Sequence, residues 1–394
     1  MAQRNGSRRV RVVHIITNLA TGGAEAMLYK LLSEMNTDEF DQSVIVLMSE
    51  AVYGPRIRAL GIPVQELGMP QGKPNIGSLR RLRKLVREFN PDILQGWMYH
   101  GNLAALAGKY LGKGRPNVCW NIRQTLYSLD KEKKLTRLVI RLGGKLSNAP
   151  DRIIYNSAVS ANQHEAESYN AGKRVVIPNG FDTEAFRFDP TERRRIRDEL
   201  EIRDDMVLIA MVARYHPMKD HQNLIRAAQL VARDKQDVRY VLVGHGSDAK
   251  QPALTNEIQR LGLGSQFHLL GERHDIMSIL SASDLLVLPS AWGEGFPNAV
   301  GEAMACGLPC VVTDIGDSAA IVAECGVVVP PGDSTALAEA IMELVNHSKS
   351  ERREIGMRAR ERVENNYSLG EIAREYEQLY RDVLQETVSV GDGK

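Results

Sequence analysis

Short apolar runs alternate with amphipathic helical patterns along most of this chain, and the alternation runs through twice. In the first half, residues 10–16, 42–48, 92–96, 117–121, 152–156 and 175–177 read as strands. Residues 24–35, 76–89 and 103–110 between them carry the apolar spacing of helices. Strand-sized runs separated by helical segments place the strands side by side in parallel, with helices crossing over on both faces. Pro178-Asn179-Gly180-Phe181-Asp182 is a turn, and the polar, Arg-rich stretch after it, to about Leu200, reads as a connection. The pattern then restarts. Strands are expected at 207–212, 239–243, 267–269, 285–288, 310–313 and 327–329, with helices at 221–233, 254–261, 276–282, 298–306 and 335–346. Residues 369–384 form one further amphipathic helix beyond the second sheet. The fold class is therefore α/β: two doubly wound, parallel-sheet (Rossmann-like) domains facing a cleft, a common place for ligands.

A chain of 394 residues, 43% hydrophobic and 25% charged, is large enough for two or three domains, each burying its own core. No apolar run approaches the roughly 20 residues needed to span a bilayer. The N-terminal Met-Ala-Gln-Arg-Asn-Gly-Ser-Arg-Arg leads into a strand without the apolar region of a signal peptide, so a cytoplasmic protein is expected. Four cysteines do not make a disulfide framework in so long a chain. Cys306 and Cys310 have helix-like spacing, but Gly307 and Pro309 interrupt it, so buried small residues are expected there and no metal.

The net charge of +1 hides a polarity. Residues 1–180 carry 26 Lys and Arg against 14 Asp and Glu, whereas residues 181–394 carry 24 against 35. Either the first half meets an anionic partner and the second a small donor, or the two halves attract one another. No nucleic-acid partner is expected.

The chemistry gathers in loops that follow strands, where open parallel sheets bind ligands. Seven residues separate Glu294 from Glu302 in Glu294-Gly-Phe-Pro-Asn-Ala-Val-Gly-Glu302. The first carboxylate falls on a strand-to-helix loop and the second about two helical turns on. Ionised carboxylates only accept hydrogen bonds, so the pair suits a hydroxyl-rich ligand such as a sugar nucleotide. In Ala213-Arg214-Tyr215-His216-Pro217-Met218-Lys219-Asp220, Arg214 and Lys219 read as a cationic clamp on a diphosphate, or else as ordinary surface ion pairs. Thr21-Gly22-Gly23-Ala24 opens a helix whose free amides suit a phosphate, though a structural turn would use the same residues. It is not the Gly-x-Gly-x-x-Gly of dinucleotide enzymes. His100 follows another strand and is placed to bond a donor group or to cap its helix. Gly244 and Arg273 stand in two further strand-end loops; Asn102 and Arg123 are the candidates on the acceptor side.

The stretch from Lys131 to Leu146 sets Leu135, Leu138, Val139, Leu142 and Leu146 on one helical stripe among basic residues. An interfacial helix at a membrane shows this composition, and so does a helix packed on its own sheet. Residues 80–87 repeat the theme.

Taken together these residues resemble the retaining GT-B glycosyltransferases of family 4 (glycosyl transferases group 1). The resemblance covers nearly the whole chain. Its most specific parts are Glu294 to Glu302, Val212-Ala213-Arg214 with Lys219, Ile177-Pro178-Asn179-Gly180 and Ala282-Ser283-Asp284-Leu285. It implies GT-B architecture: an acceptor-side domain over residues 1–185, a nucleotide-sugar-binding domain over 186–368, and a final helix of about 369–394 packing back on the first. It implies a hexosyltransferase (EC 2.4) acting with retention and without a metal or other cofactor. The donor would be a UDP- or GDP-linked sugar, and the acceptor a polysaccharide or lipid-linked glycan. Arg214 and Lys219 would bind the donor diphosphate with Gly22 and Gly23 nearby. Glu302 would hold the ribose and Glu294 the sugar hydroxyls. Gly295, Phe296, Pro297, Asn298, Gly244 and Arg273 would complete the donor site, and His100 would contact the donor sugar.

Three departures stand out: Pro297 where the family often has Gly, Asp317-Ser318-Ala319-Ala320 for a Pro-Glu pair, and Gln95-Gly96-Trp97 for Val-His-x-His. Retention by double displacement needs a carboxylate beside the anomeric carbon. Same-face departure with the leaving phosphate as base needs only Arg214, Lys219 and a positioned acceptor, and is the expected route. A sugar-nucleotide epimerase of the same architecture and a non-catalytic sugar-nucleotide-binding relative are the alternatives. A peripheral position at the cytoplasmic membrane face follows if the stretch from Lys131 to Leu146 meets lipid.

Overall fold

The computed structural model describes residues 8–70, 75–112, 114–126, 129 and 134–391. Two compact units divide the chain, one of residues 1–180 with 369–394, the other of residues 181–368. In the first, strands β1 (Val10–Ile16), β2 (Phe40–Val46), β3 (Val64–Glu66), β4 (Ile93–Trp97), β5 (Asn117–Ile122), β6 (Arg152–Tyr155) and β7 (Arg174–Val176) form one sheet. All pair in parallel, in the order β3-β2-β1-β4-β5-β6-β7. In the second, β8 (Val207–Val212), β9 (Val238–Val243), β10 (Phe267–Gly271), β11 (Leu285–Leu288), β12 (Cys310–Thr313) and β13 (Gly326–Val329) are likewise parallel, in the order β10-β9-β8-β11-β12-β13. In each sheet the strand order reverses beside the unit's first strand, between β1 and β4 and between β8 and β11. Helices must leave the sheet in opposite directions there, which opens a crevice at the strands' carboxyl ends.

The two-residue period of a strand divides β1 between two cores. Val12 and Ile16 pack with Ile372, Ala373, Tyr376 and Tyr380 of the final helix, Leu369–Gly391. Val13 and Ile15 pack on the other face with Leu82, Leu94 and Trp120. The chain changes unit at Gly180, not at residue 185, because Phe181 is already buried in the second core, stacked on Phe296 with ring centroids 5.9 Å apart.

The Arg-rich stretch before Leu200 is not a connector. It forms the helix Pro190–Glu199, capped by Asp189 and started by a proline. Its apolar face is thin, and Arg193 and Arg197 anchor it to the Asp284 carboxylate, at 2.8 and 3.3 Å. Asp284, in the Ala-Ser-Asp-Leu motif, is therefore a packing residue. The 19-residue helix Lys349–Tyr367 also escapes pattern reading: only Gly356, Ala359 and Val363 are buried, too few for a periodic signal. β3 has one apolar residue in three; the helix Tyr53–Ala59 buries Gly54 and Ile57, and the helix Ala158–Ala166 buries Ser160, Ala161 and His164, so no apolar stripe marks them.

Gly356 lets its helix touch the Gly307 turn, and a Cβ there would lie 1.9 Å from the Gly307 carbonyl oxygen. Gly356→Ala is expected to cost about 1–3 kcal/mol, since backbone cannot step aside; Gly23→Ala, with nothing within 4 Å of the added carbon, should leave Tm unchanged.

His14, His164 and His221 are buried, which pushes their pKa from 6.5 down to about 3, 4 and 4. Below pH 6.5 the unfolded chain therefore binds protons that the folded chain refuses, and stability falls as pH drops. The expected slope is about 1.4 kcal/mol per pH unit for each histidine. Thermal melts from pH 7.5 to 4.5 should show Tm flat above 7 and declining below 6.5; a flat profile to pH 5 would contradict this burial.

Candidate functional site

Two loops meet at the β8/β11 reversal. After β8 the chain runs through Arg214 and a 3-10 turn, Pro217–Lys219, into the helix His221–Val231. Asp220 caps that helix with its own backbone left-handed, at φ 47°. After β11 the chain runs through Ser290 to Glu294 and into the helix Asn298–Ala305. Lys219 Nζ donates to Glu294 Oε1, so an ion pair bridges the carboxyl ends of the two strands. The carboxylate is 7% exposed and the lysine side chain 16%. Ser290 Oγ donates to the same oxygen at 2.5 Å.

The surrounding backbone fixes this pair. Ala291 N donates to Met218 O at 2.8 Å, and Thr313 Oγ1 to Ser290 O at 2.6 Å. Gly316, at φ 65°, lies so close to the Glu294 backbone that a Cβ would meet its carbonyl oxygen at 2.4 Å. Arg214 is exposed and makes no hydrogen bond or ion pair among the described residues. The arrangement offers a diphosphate one free guanidinium and one ammonium that now neutralises a buried carboxylate.

The remaining donor-side candidates divide. Glu302 is half-buried on the helix Asn298–Ala305, Asn298 is exposed, and Pro297 is that helix's N-cap residue. Gly295 O accepts from Asp317 N at 2.8 Å. Three further candidates have partners within the fold. The Phe296 ring belongs to the core, against Phe181 and edge-on to Tyr367, with centroids 5.4 Å apart in the latter pair. Gly244 is demanded by the fold: at φ 141° its Cβ would sit 2.3 Å from Ala213 O. Arg273 is taken by two carboxylates, Asp275 at 2.7 Å and Glu199 at 2.7 Å, and does not stand open at the sheet edge.

In the first unit, Gly22 and Gly23 follow β1 and open the helix Gly23–Glu34. The fold places no atom where a Gly23 side chain would go. His100, in the helix Met98–Leu111 after β4, is half-buried, and burial lowers its pKa below 6.5. It is a neutral hydrogen-bonding group at pH 7.

Asn102 and Arg123, the acceptor-side candidates, are bonded within the first unit. Asn102 is 2% exposed, and its amide pairs with the Asn121 backbone at 3.1 and 3.4 Å. Arg123 bonds the Asn179 side chain, Pro178 O at 3.2 Å, Asn121 Oδ1 at 3.3 Å and Tyr376 OH at 2.9 Å, tying β5 to the final helix. The Gln95 departure has its reason here too: Gln95 Oε1 accepts from Tyr380 OH at 2.5 Å. Ser290, Asn179 and Tyr376 were not singled out from sequence. Only Asn179 left a trace, inside the Ile-Pro-Asn-Gly motif.

The basic stretch forms the helix Lys134–Leu146. Lys131 to Lys133, like most of the loop 127–133, lie outside the described residues. Ile140, Gly143 and Gly144 face inward, with Gly143 against the Tyr169 hydroxyl and Gly144 against Glu167 O. The leucine stripe faces out: Leu135, Leu138 and Leu142 are 51, 63 and 43% exposed. Among the described residues no helix is long and apolar enough to cross a membrane, and no group of three or more His, Cys, Asp or Glu is placed to hold a metal ion.

Comparison with known proteins agrees with this geometry. Residues 192–362 match the family described as Glycosyl transferases group 1, and residues 21–185 the one described as Glycosyltransferase Family 4. The chain is 27% identical over 330 residues to the UDP-Gal:alpha-D-GlcNAc-diphosphoundecaprenol alpha-1,3-galactosyltransferase of Escherichia coli, covering 80% of this chain and 82% of that one. It is 27% identical over 338 residues to the N-acetyl-alpha-D-glucosaminyl L-malate synthase of Bacillus anthracis, covering 84 and 86%. The solved structure of HepE from Anabaena in complex with UDP superposes with a TM-score of 0.81 at 21% identity, over 95% of this chain and 100% of that one. Two parallel-sheet Rossmann-like units, a charged pair at the second unit's strand reversal and these matches together make the chain a glycosyltransferase of the GT-B group 1, family 4, class.

Proposed function

We propose that this enzyme moves a hexose from a UDP- or GDP-linked sugar to a polysaccharide or lipid-linked glycan, with retention at the anomeric carbon. The observation that carries the reading is the buried Lys219–Glu294 pair beside the free Arg214 at the β8/β11 reversal. A nucleoside diphosphate leaves with both electrons of the bond between the sugar's anomeric carbon and the phosphate oxygen. Arg214 and Lys219 are cations placed to take the charge that develops on it. The acceptor hydroxyl adds to the same face as that bond breaks, and its proton passes to the departing phosphate oxygen. As Lys219 turns to the diphosphate, Glu294 accepts from the sugar hydroxyls, and neither charge is left buried and alone.

The two cations supply what a divalent ion supplies elsewhere, so the transfer is read as metal-independent. The names of the relatives support a nucleotide donor and, for the Escherichia coli enzyme, a lipid-linked acceptor. The outward leucines of the helix Lys134–Leu146 support a peripheral position on the cytoplasmic face of a membrane.

Turnover of a panel of UDP- and GDP-sugars, with and without EDTA, tests the reading. Arg214→Ala should lower kcat/KM at least about a hundredfold, with Tm unchanged and EDTA without effect on the parent enzyme. Lys219→Ala should lose turnover and also about 3–5 kcal/mol of stability, because it strands Glu294. Pairing Lys219→Met with Glu294→Leu should restore the stability and not the turnover. Full activity in Arg214→Ala would sink the assignment.

A further inference from the structure

We propose that the first unit seats the hydrocarbon tail of a single-chain lipid phosphate in an apolar groove that reaches His100. That this lipid carries the acceptor sugar rests on the glycosyl-transfer reading; that a lipid phosphate binds there does not.

The groove holds about 660 Å³, within the size range of small-molecule sites. Leu47, Leu67, Leu82, Leu103, Val139 and Leu142 form much of its wall, and Ala104 and Ala107 leave the space open. A soluble sugar there would face hydrocarbon with its hydroxyls unbonded, which is costly. Polar groups enter chiefly where Thr17 and Asn18, after β1, and His100, after the neighbouring β4, meet the groove.

Two helices flank it, Ile76–Phe89 and Lys134–Leu146, and their surfaces are unlike the rest of the molecule. Of the 13 exposed large apolar side chains among the described residues, six lie on these two helices: Ile76, Leu79, Leu135, Leu138, Leu142 and Leu146. Such clustering marks an interaction surface, where scattered single residues would not. Beside them stand Arg80, Arg81, Arg83, Arg87, Lys134, Arg141 and Lys145, all exposed and without an ion pair among the described residues. Glu88 is the one carboxylate on either helix, and Lys84 takes it at 3.7 Å. Unpaired cations next to uncovered leucines complement one chemistry in particular, an anionic head on an apolar chain. Hydrocarbon fills the groove, which no Lys or Arg among the described residues lines. The exposed cations on the outer faces of the same two helices draw the anionic head to this side of the unit, where Thr17, Asn18 and His100 offer hydrogen bonds to a glycan joined to it.

Calorimetric titration of the full chain with submicellar farnesyl phosphate, farnesol and inorganic phosphate, without nucleotide, tests this. Farnesyl phosphate should bind at least tenfold more tightly than either of the others. Ala104→Trp or Ala107→Trp, which put bulk into the groove, should weaken it at least tenfold while Tm holds. Leu138→Asp, outside the groove, should keep farnesyl phosphate binding and reduce only sedimentation with anionic vesicles. Unchanged binding in both tryptophan variants, or an equal loss in Leu138→Asp, would overturn the groove in favour of surface adsorption. So would a lipid-free dimer that the tryptophan variants break. UDP and GDP titrated into the same samples report separately on the transfer reading, which fails alone if nucleotides do not bind and the lipid phosphate does.

Discussion

The Lys219–Glu294 ion pair is the contact on which the second unit's site depends. A carboxylate 7% exposed is stable there only because an ammonium and the Ser290 hydroxyl share one of its oxygens. Much of the local sequence serves that placement. Ser290 supplies the second donor, Thr313 and Gly316 hold the Glu294 loop from the β12 side, and Met218 O holds it from the β8 side. A ligand carrying both a diphosphate and sugar hydroxyls can replace each half of the pair with a partner of the right kind. On the proposed reading, phosphate oxygens would accept from Lys219 and sugar hydroxyls would donate to Glu294. On that reading a diphosphate alone would take the lysine and leave the carboxylate unpaired, so the pair would favour the complete sugar nucleotide over its parts.

The same strand reversal in the first unit is used differently. Gly23 and His100 stand at its β1 and β4 ends, with the half-buried Glu25 carboxylate folded back against Gly22, and burial keeps His100 neutral. Arginines and lysines without an ion pair among the described residues gather instead on the two helices beside the apolar groove. The surplus of positive charge over residues 1–180 is thus partly concentrated on one face. Arg123 is an exception: it is bound to Asn179, Pro178 and Tyr376, and it pins the final helix to β5.

Both sheets were legible in the sequence because buried parallel strands are runs of β-branched and apolar residues, and four of the thirteen, β1, β8, β11 and β12, begin and end as the pattern predicts. β3 was not, since Val64-Gln65-Glu66 has a single apolar residue. The helices Pro190–Glu199 and Lys349–Tyr367 were hidden for another reason: arginine contacts to Asp284 and to main-chain carbonyls, and a glycine-to-glycine approach, do what an apolar stripe does elsewhere. Loop position brought Lys219 and Glu294 together as an ion pair at one strand reversal, which their separation along the chain did not announce. Other partners were not legible: Asn102 bridges to β5, Arg273 meets two acids, and Phe296 packs in the core. Distance along the chain does not show which partner a polar side chain finds.

A crystal structure of the protein with an intact UDP- or GDP-sugar tests the central claim most directly. The diphosphate should lie within hydrogen-bond reach of Arg214 and Lys219, with Lys219 released from Glu294 and that carboxylate accepting from a sugar hydroxyl. A nucleotide sugar bound elsewhere in the second unit, with the Lys219–Glu294 pair intact, would contradict it.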